Sequence, residues 1–250
     1  MGHTYVMSDM HGMYDLYRRM LKEISFSEED TLYVLGDVVD RGRDGIKILL
    51  DIMERDNVTL ILGNHEAMML DVVTMEDLSG PLYEERMFRW EKNGGGVTAH
   101  HYFGGLGYKD QARLIAYLES CPLFLHNVVV NGRRFYLVHA YPDDKGYADG
   151  ITDETISWNS LIQLTPEYQK KLRDQLMWTR IDKENEFPEG QTVIFGHTPT
   201  LWYQAGSPMR FWHGRNCIDI DCGCSYLAHE NKQGCLGCLR LDDMKEFYIS

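Results

Sequence analysis

The stretch Leu35–Gly42, LGDVVDRG, decides how this chain is read. An apolar run rich in strand formers, TLYVLG from Thr31, ends in two carboxylates three residues apart, Asp37 and Asp40, with Arg41 beside the second and a glycine near each end. A solvated loop places acids this way, and so does a metal and phosphate site. Upstream, TYVMS (Thr4 to Ser8) runs into DMHG, which offers Asp9 and His11. Downstream, VTLILG (Val58 to Gly63) runs into NHE, which offers Asn64 and His65. Between the runs, Tyr14 to Ile24 and roughly Gly45 to Glu54 carry helical spacing, the first with Leu16, Met20, Leu21 and Ile24 on one face. Short apolar runs alternating with helices predict a βαβαβ unit with a parallel sheet. The carboxyl ends of such strands share one edge, where ligands bind, so the three polar loops should converge.

The second half has a different rhythm. LFLHNVVV and RFYLVHA flank Asn131-Gly132, a strong hairpin signal. TVIFGHTPT, CIDID and LGCLRL are further short strand-like runs, so this half should add a second sheet, mixed or mostly antiparallel. Tyr141 to Trp178 reads as a polar, helical cap within a single domain of residues 1–250. Its clearest helix is LTPEYQKKLRDQL, with Thr165 as the expected cap and Pro166 at the first position.

The polar residues that end apolar runs are Asp9, His11, Asp37, Asp40, Asn64, His65, His139 and His197. One histidine at a strand end is ordinarily a hydrogen-bonded structural group; the same event at five strand ends is not. Asp9, His11, Asp37, Asn64, His139 and His197 together supply three imidazoles, two carboxylates and an amide oxygen. That set suits two divalent ions, Mn²⁺ first, with Fe or Zn also compatible, and it lacks the thiolates of a structural zinc site. Such a pair of ions can activate water against a phosphoryl group. Arg41 would then fork onto phosphate oxygens, His65 protonate the leaving oxygen, and Asp40 orient that imidazole and keep it protonated.

The formal net charge of −13 disfavours a nucleic-acid backbone as partner and requires local positive charge for any phosphate substrate. No charged n-region precedes an apolar stretch, Val6 breaks the myristoylation pattern, and no run approaches the ~18 apolar residues of a membrane span. These features predict a cytoplasmic chain with no membrane partner, whose six cysteines are thiols.

Taken in order, DMHG, GDVVDRG, GNHE, VHA and GHT resemble the PPP family of metallophosphatases, within the calcineurin-like phosphoesterase superfamily. WEKNGG (Trp90 to Gly95), CPLFL and LMWTR look like its bacterial, lambda-phage-like branch. The resemblance covers nearly the whole chain. It implies an α/β fold, a central β-sandwich of mixed sheets flanked by helices, with the ligand roles just given. It also implies a second phosphate-contacting arginine, which falls on Arg180 in WTR. Tyr141 departs from the family, standing in HAYP where a glycine is usual; its ring would narrow the pocket, stack on substrate, or pack into the cap. Cys222, Cys224, Cys235 and Cys238 read either as core residues, the favoured reading, or as a small zinc site. His100 and His101 read as surface residues, and Met75 to Arg86 as a solvated insertion.

The expected activity is that of a serine/threonine protein phosphatase, a metal-dependent hydrolase of phosphoric monoesters with a phosphorylated protein, peptide or small metabolite as partner. The rival is a dinucleoside tetraphosphate hydrolase. In that group the residue before the motif arginine tends to be changed, and Asp40 is intact. A catalytically silent phosphoprotein-binding module has no use for a complete ligand set together with His65 and both arginines.

Overall fold

The computed structural model describes residues 2–143, 156–206, 208–228 and 233–250. Strands β1 (Thr4–Met7), β2 (Thr31–Val34) and β3 (Val58–Leu60) pair in parallel, linked by α1 (Tyr14–Glu23) and α2 (Gly45–Met53). Helices α3 (Asn64–Val73), α4 (Pro81–Lys92), α5 (Gly96–Gly105) and α6 (Tyr108–Ser120) follow. The hairpin β4 (Phe124–Val130) and β5 (Arg133–Val138) turns on Asn131 and Gly132, both at positive φ, as a two-residue turn that follows the strand twist requires. Then come α7 (Trp158–Leu161), α8 (Pro166–Trp178), β6 (Thr192–Phe195), β7 (Trp212–Gly214), β8 (Cys217–Asp219), β9 (Leu236–Arg240) and β10 (Lys245–Ile249).

Two five-stranded mixed sheets result, ordered β10-β9-β1-β2-β3 and β4-β5-β6-β8-β7. Side-chain alternation assigns their faces. Val6 of β1, Phe135 and Leu137 of β5, Ile194 of β6, Ile218 of β8 and Leu239 of β9 form one buried cluster between the sheets. Tyr5, Met7, Val193 and Phe195 point the other way, into the core beneath the helices. This is the expected sandwich flanked by helices. The parallel strands β1, β2 and β3 of one sheet and β5, β6 and β8 of the other all end at the edge that carries the site.

Several local expectations change. LGCLRL, read as part of the second sheet, is β9, which returns to pair antiparallel with β1. Its side chains are buried on both faces, so no alternation marks which sheet it joins. On α1, Tyr17 rather than Leu16 completes the buried stripe, its hydroxyl donating to Asp51 at 2.8 Å. Thr165 holds the cap position of α8 without a side-chain hydrogen bond, and Pro166 opens the helix as expected. Residues Glu76 to Ser79 are exposed, and Pro81, Leu82, Glu84 and Glu85 are exposed as well, so the stretch is largely solvated as expected, although its second part is the first turns of α4 rather than a loop. The expected cap at about 141–178 contributes α7 and α8; its residues 144–155 lie outside the described residues. No helix among the described residues is long and apolar enough to cross a membrane.

Candidate active site

Loop geometry brings the strand-end residues together. The loop after β1 lies on the loop after β2 through His11 N–H to Asp37 O (2.9 Å), Gly12 N–H to Val38 O (2.8 Å) and Gly42 N–H to His11 O (3.0 Å). Gly12 and Gly42 touch so closely that a Cβ on Gly12, itself at φ +70°, would stand 2.4 Å from the Gly42 carbonyl oxygen. Asp9, His11, Asp37, Asp40, Arg41 and His197 all hold φ between 42° and 70°. That conformation is costly for any residue with a Cβ and gathers at functional loops.

Asp37 is the centre. Its Oδ1 lies 3.4 Å from His139 Nε2, and its Oδ2 lies 3.7 Å from both His11 Nε2 and His65 Nε2. Two groups able to hold a metal share it: His11, Asp37 and His65, and Asp37, His139 and His197. Asn64 joins the second, its Oδ1 2.9 Å from His139 Nε2 and 3.1 Å from His197 Nδ1. Asp9 is buried beside them but belongs to neither tight group; its Oδ2 accepts from Ser8 Oγ (2.5 Å) and from His197 N–H (3.0 Å).

The hydrogen bonds fix the tautomers that suit cation ligands. His139 Nδ1 faces Leu35 O at 2.7 Å and His11 Nδ1 faces Val39 O at 3.0 Å, so those nitrogens carry the proton. The other nitrogen of each ring then turns a lone pair inward: that of His139 meets the Asn64 and Asp37 oxygens, which are also acceptors, and that of His11 accepts from Arg41 Nη1. Burial, then the neighbouring imidazoles and Arg41, pushes His11 and His139 well below the usual imidazole range, and burial pushes His197 down to about 4. Around His139, Asn64 and Asp37 these lone pairs converge with no proton to share, which matches the donor set of a divalent ion. The two groups that share Asp37 are consistent with a dinuclear centre; they take in His65, and Asp9 stands beside them.

His65 Nδ1 lies 2.6 Å from Asp40 Oδ2, as the orienting role requires. Asp40 is itself held by Trp90, whose Nε1–H donates to both carboxylate oxygens at 3.1 and 2.9 Å. Burial, then Arg41, lowers His65 well below the imidazole range, while burial raises Asp40 to about 7. Arg41 spreads its fork over the same rings, Nη1 at 2.8 Å from His11 Nε2 and Nη2 at 3.2 Å from His65 Nε2. Arg180 is exposed at the rim and lies 4.4 Å over the Trp202 ring, near enough to depress His197 by its charge.

Other residues matter that the sequence reading gave no role. Glu66 accepts from the backbone N–H groups of Asp37, Val38, Val39 and Gly63 at 2.8 to 3.2 Å, and so holds the whole Asp37 loop. Asp219 and Asp221 are buried behind Asp9, and burial raises both carboxyls, Asp221 to about 6. The rule that found the other residues, a polar group ending an apolar run, applies equally to CIDID. Tyr141 packs edge-on against Phe187 at 5.7 Å, which favours the packing alternative. Cys222 and Cys235 lie in the core between the sheets and Cys224 and Cys238 in the core under the helices. Among the described residues, no cysteine belongs to a group that could hold a metal. His100 is exposed and His101 half-buried, both on α5.

Comparison with known proteins agrees with this geometry. The chain is 26% identical over 200 residues to serine/threonine-protein phosphatase 2 of Salmonella typhimurium, covering 78% of this chain and 79% of that protein. It is 40% identical over 202 residues to a symmetrical bis(5'-nucleosyl)-tetraphosphatase of Delftia acidovorans, covering 79% of this chain but only 58% of the relative. A solved protein serine/threonine phosphatase from Saccharomyces cerevisiae shares the fold at a TM-score of 0.59 and 14% identity, over 96% of this chain and 72% of that one. The sequence profile of the calcineurin-like phosphoesterases matches residues 2–231, and with that span and this site the chain belongs to the calcineurin-like phosphoesterase family, whose members are metal-dependent hydrolases.

Proposed function

We propose that the substrate class is the dinucleoside tetraphosphates, cleaved by water at a dinuclear centre held by Asp9, His11, Asp37, Asn64, His139 and His197. The observation that carries this reading is a pair of cation–aromatic contacts at the mouth of the site. Arg180 lies 4.4 Å over Trp202, a ring left 63% exposed, and Arg89 lies 4.8 Å over Trp178, whose ring meets His197 edge-on at 6.2 Å. A monoester dianion is satisfied by Arg41 and one further guanidinium. A tetraphosphate with a base at each end uses additional cations for its oxygens and flat rings for its bases. The Delftia relative, named as a tetraphosphatase, supports the same reading.

Bound at this centre, two divalent ions, Mn²⁺ in our reading, supply a Lewis acid and a water of lowered pKa. The chain does the rest. Glu66 keeps the Asp37 loop rigid, so the site costs little reorganisation. Arg41 and Arg180 take the non-bridging oxygens of the reacting phosphoryl group. His65, aligned by Asp40 and Trp90, passes a proton to the departing oxygen.

A second reading, a serine/threonine protein phosphatase, is favoured by the Asp40–His65 pair. An alkoxide leaving group needs a proton, whereas a nucleotide phosphate, with a second pKa of about 6, leaves with little help. The Salmonella relative carries that name. The deciding experiment is kcat/KM with Mn²⁺ for diadenosine tetraphosphate against a phosphothreonine peptide. We expect the dinucleotide to be preferred, chelation to abolish turnover, and Mn²⁺ to restore it. A preference for the peptide selects the second reading, and turnover that survives full metal removal overturns the mechanism.

A further inference from the structure

Beside the ligand cluster, α3, α4 and α8 line a half-open cavity of about 420 Å³, within the ~300–1,000 Å³ range of small-ligand sites. Trp178 joins it to the centre, since the ring that meets His197 also lines the cavity. Four cations line it, Arg86, Arg89, Lys170 and Arg173, against three acids. This is a local excess of positive charge on a chain whose net charge is −13.

Two of the four cations are already engaged. Arg173 pairs with Asp71, and Arg86 donates to the Asp71 carbonyl at 2.8 Å. Among the described residues, Arg89 and Lys170 have no ion-pair partner; Arg89 only overlies Trp178. Leu82, half-exposed at 51%, and Met68 supply apolar wall beside them. A merely solvated groove would explain scattered charges. It does not explain two unpaired cations gathered with an aromatic ring and an apolar wall at the side of a phosphohydrolase centre.

We infer that this cavity is the subsite for one nucleotide portion of the substrate, a nucleoside diphosphate in chemical class. Arg89 and Lys170 take its phosphate oxygens, and the base packs against Trp178 and Leu82. The inference rests on the tetraphosphate reading, and the test separates the two. Titration calorimetry of ADP into the Mn²⁺-loaded protein is compared for wild type, Arg89→Ala and Lys170→Ala. Both side chains are exposed on helices, so neither substitution threatens the fold. In parallel, kcat/KM is measured for diadenosine tetraphosphate and for p-nitrophenyl phosphate, which is too small to span centre and cavity.

Each variant is expected to weaken ADP binding about tenfold, the effect of losing one charged contact. Each should also lower kcat/KM for the dinucleotide about tenfold more than for p-nitrophenyl phosphate. ADP affinity within twofold of wild type in both variants overturns the inference, whichever substrate the enzyme prefers. ADP binding that depends on Arg89, in an enzyme that does not cleave the dinucleotide, upholds the subsite and sinks the tetraphosphate reading alone.

Discussion

Trp90→Phe isolates one hydrogen bond behind the reacting groups. Trp90 is wholly buried, and its Nε1–H donates to both oxygens of Asp40, which lies 2.6 Å from His65 Nδ1. The substitution keeps an aromatic wall and deletes the donor. A hydrogen bond to a charged group contributes ~1.5–3 kcal/mol, and the small cavity left by the lost ring adds ~1 kcal/mol. Stability should therefore fall by ~2–4 kcal/mol, at ~2–4 °C of Tm per kcal/mol for a chain of this size. Trp90 acts on rate only through Asp40 and His65, so only part of that energy reaches the transition state. At ~1.4 kcal/mol per decade we expect kcat to drop about tenfold with KM within twofold. The pH profile adds a readout that packing alone does not move. Burial raises Asp40 to about 7, while hydrogen bonds from Thr98 and Trp90 pull it down, so removing Trp90 raises it further and shifts the acid limb to higher pH. The assay is steady-state turnover of phenyl phosphate, whose leaving group needs a proton, across pH, alongside Tm. An unchanged kcat and pH profile with a lowered Tm would refute the reasoning and leave Trp90 a packing residue.

His65→Asn should lower kcat for phenyl phosphate by ~10²–10³, the usual contribution of a general acid, while both metals stay bound. If metal content falls with it, His65 belongs with His11 and Asp37 as a ligand. The metal-free protein should lose thermal stability as pH rises above about 6.5 and through about 7. Burial raises Asp9 and Asp37 well above the carboxylate range and Asp40 to about 7, so their contribution is full at low pH and is lost as pH rises through those values. The lowered imidazoles His11, His139 and His197 contribute fully above about 6.5 and stay level across that window. Thermal melts should show the decline without metal and its suppression with Mn²⁺; a flat metal-free profile would contradict this balance.

Much of the site was legible because each functional loop follows a strand, and strand ends are visible as apolar runs that stop. Asp9, His11, Asp37, Asn64, His139 and His197 were found that way, and parallel pairing then delivers them to one edge. What stayed hidden depends on contacts between distant segments. Glu66 stood in view within GNHE, yet its service to the Asp37 loop depends on how two strand ends meet. Arg89 and Trp178 belong to different helices, and no local pattern joins them. The return of β9 beside β1 was invisible because a strand buried on both faces has no alternation to read. Asp219 and Asp221 were open to discovery, but only the cysteines around them were weighed, as core residues or a small zinc site.

The most direct test of the account is metal stoichiometry by inductively coupled plasma mass spectrometry on purified wild type and Asp37→Asn after loading with Mn²⁺. Asp37 faces both ligand groups, so the account predicts about two ions per wild-type chain and a loss of metal together with activity in the variant. A single ion in the wild type, or two ions retained in Asp37→Asn, would contradict a dinuclear centre bridged by Asp37.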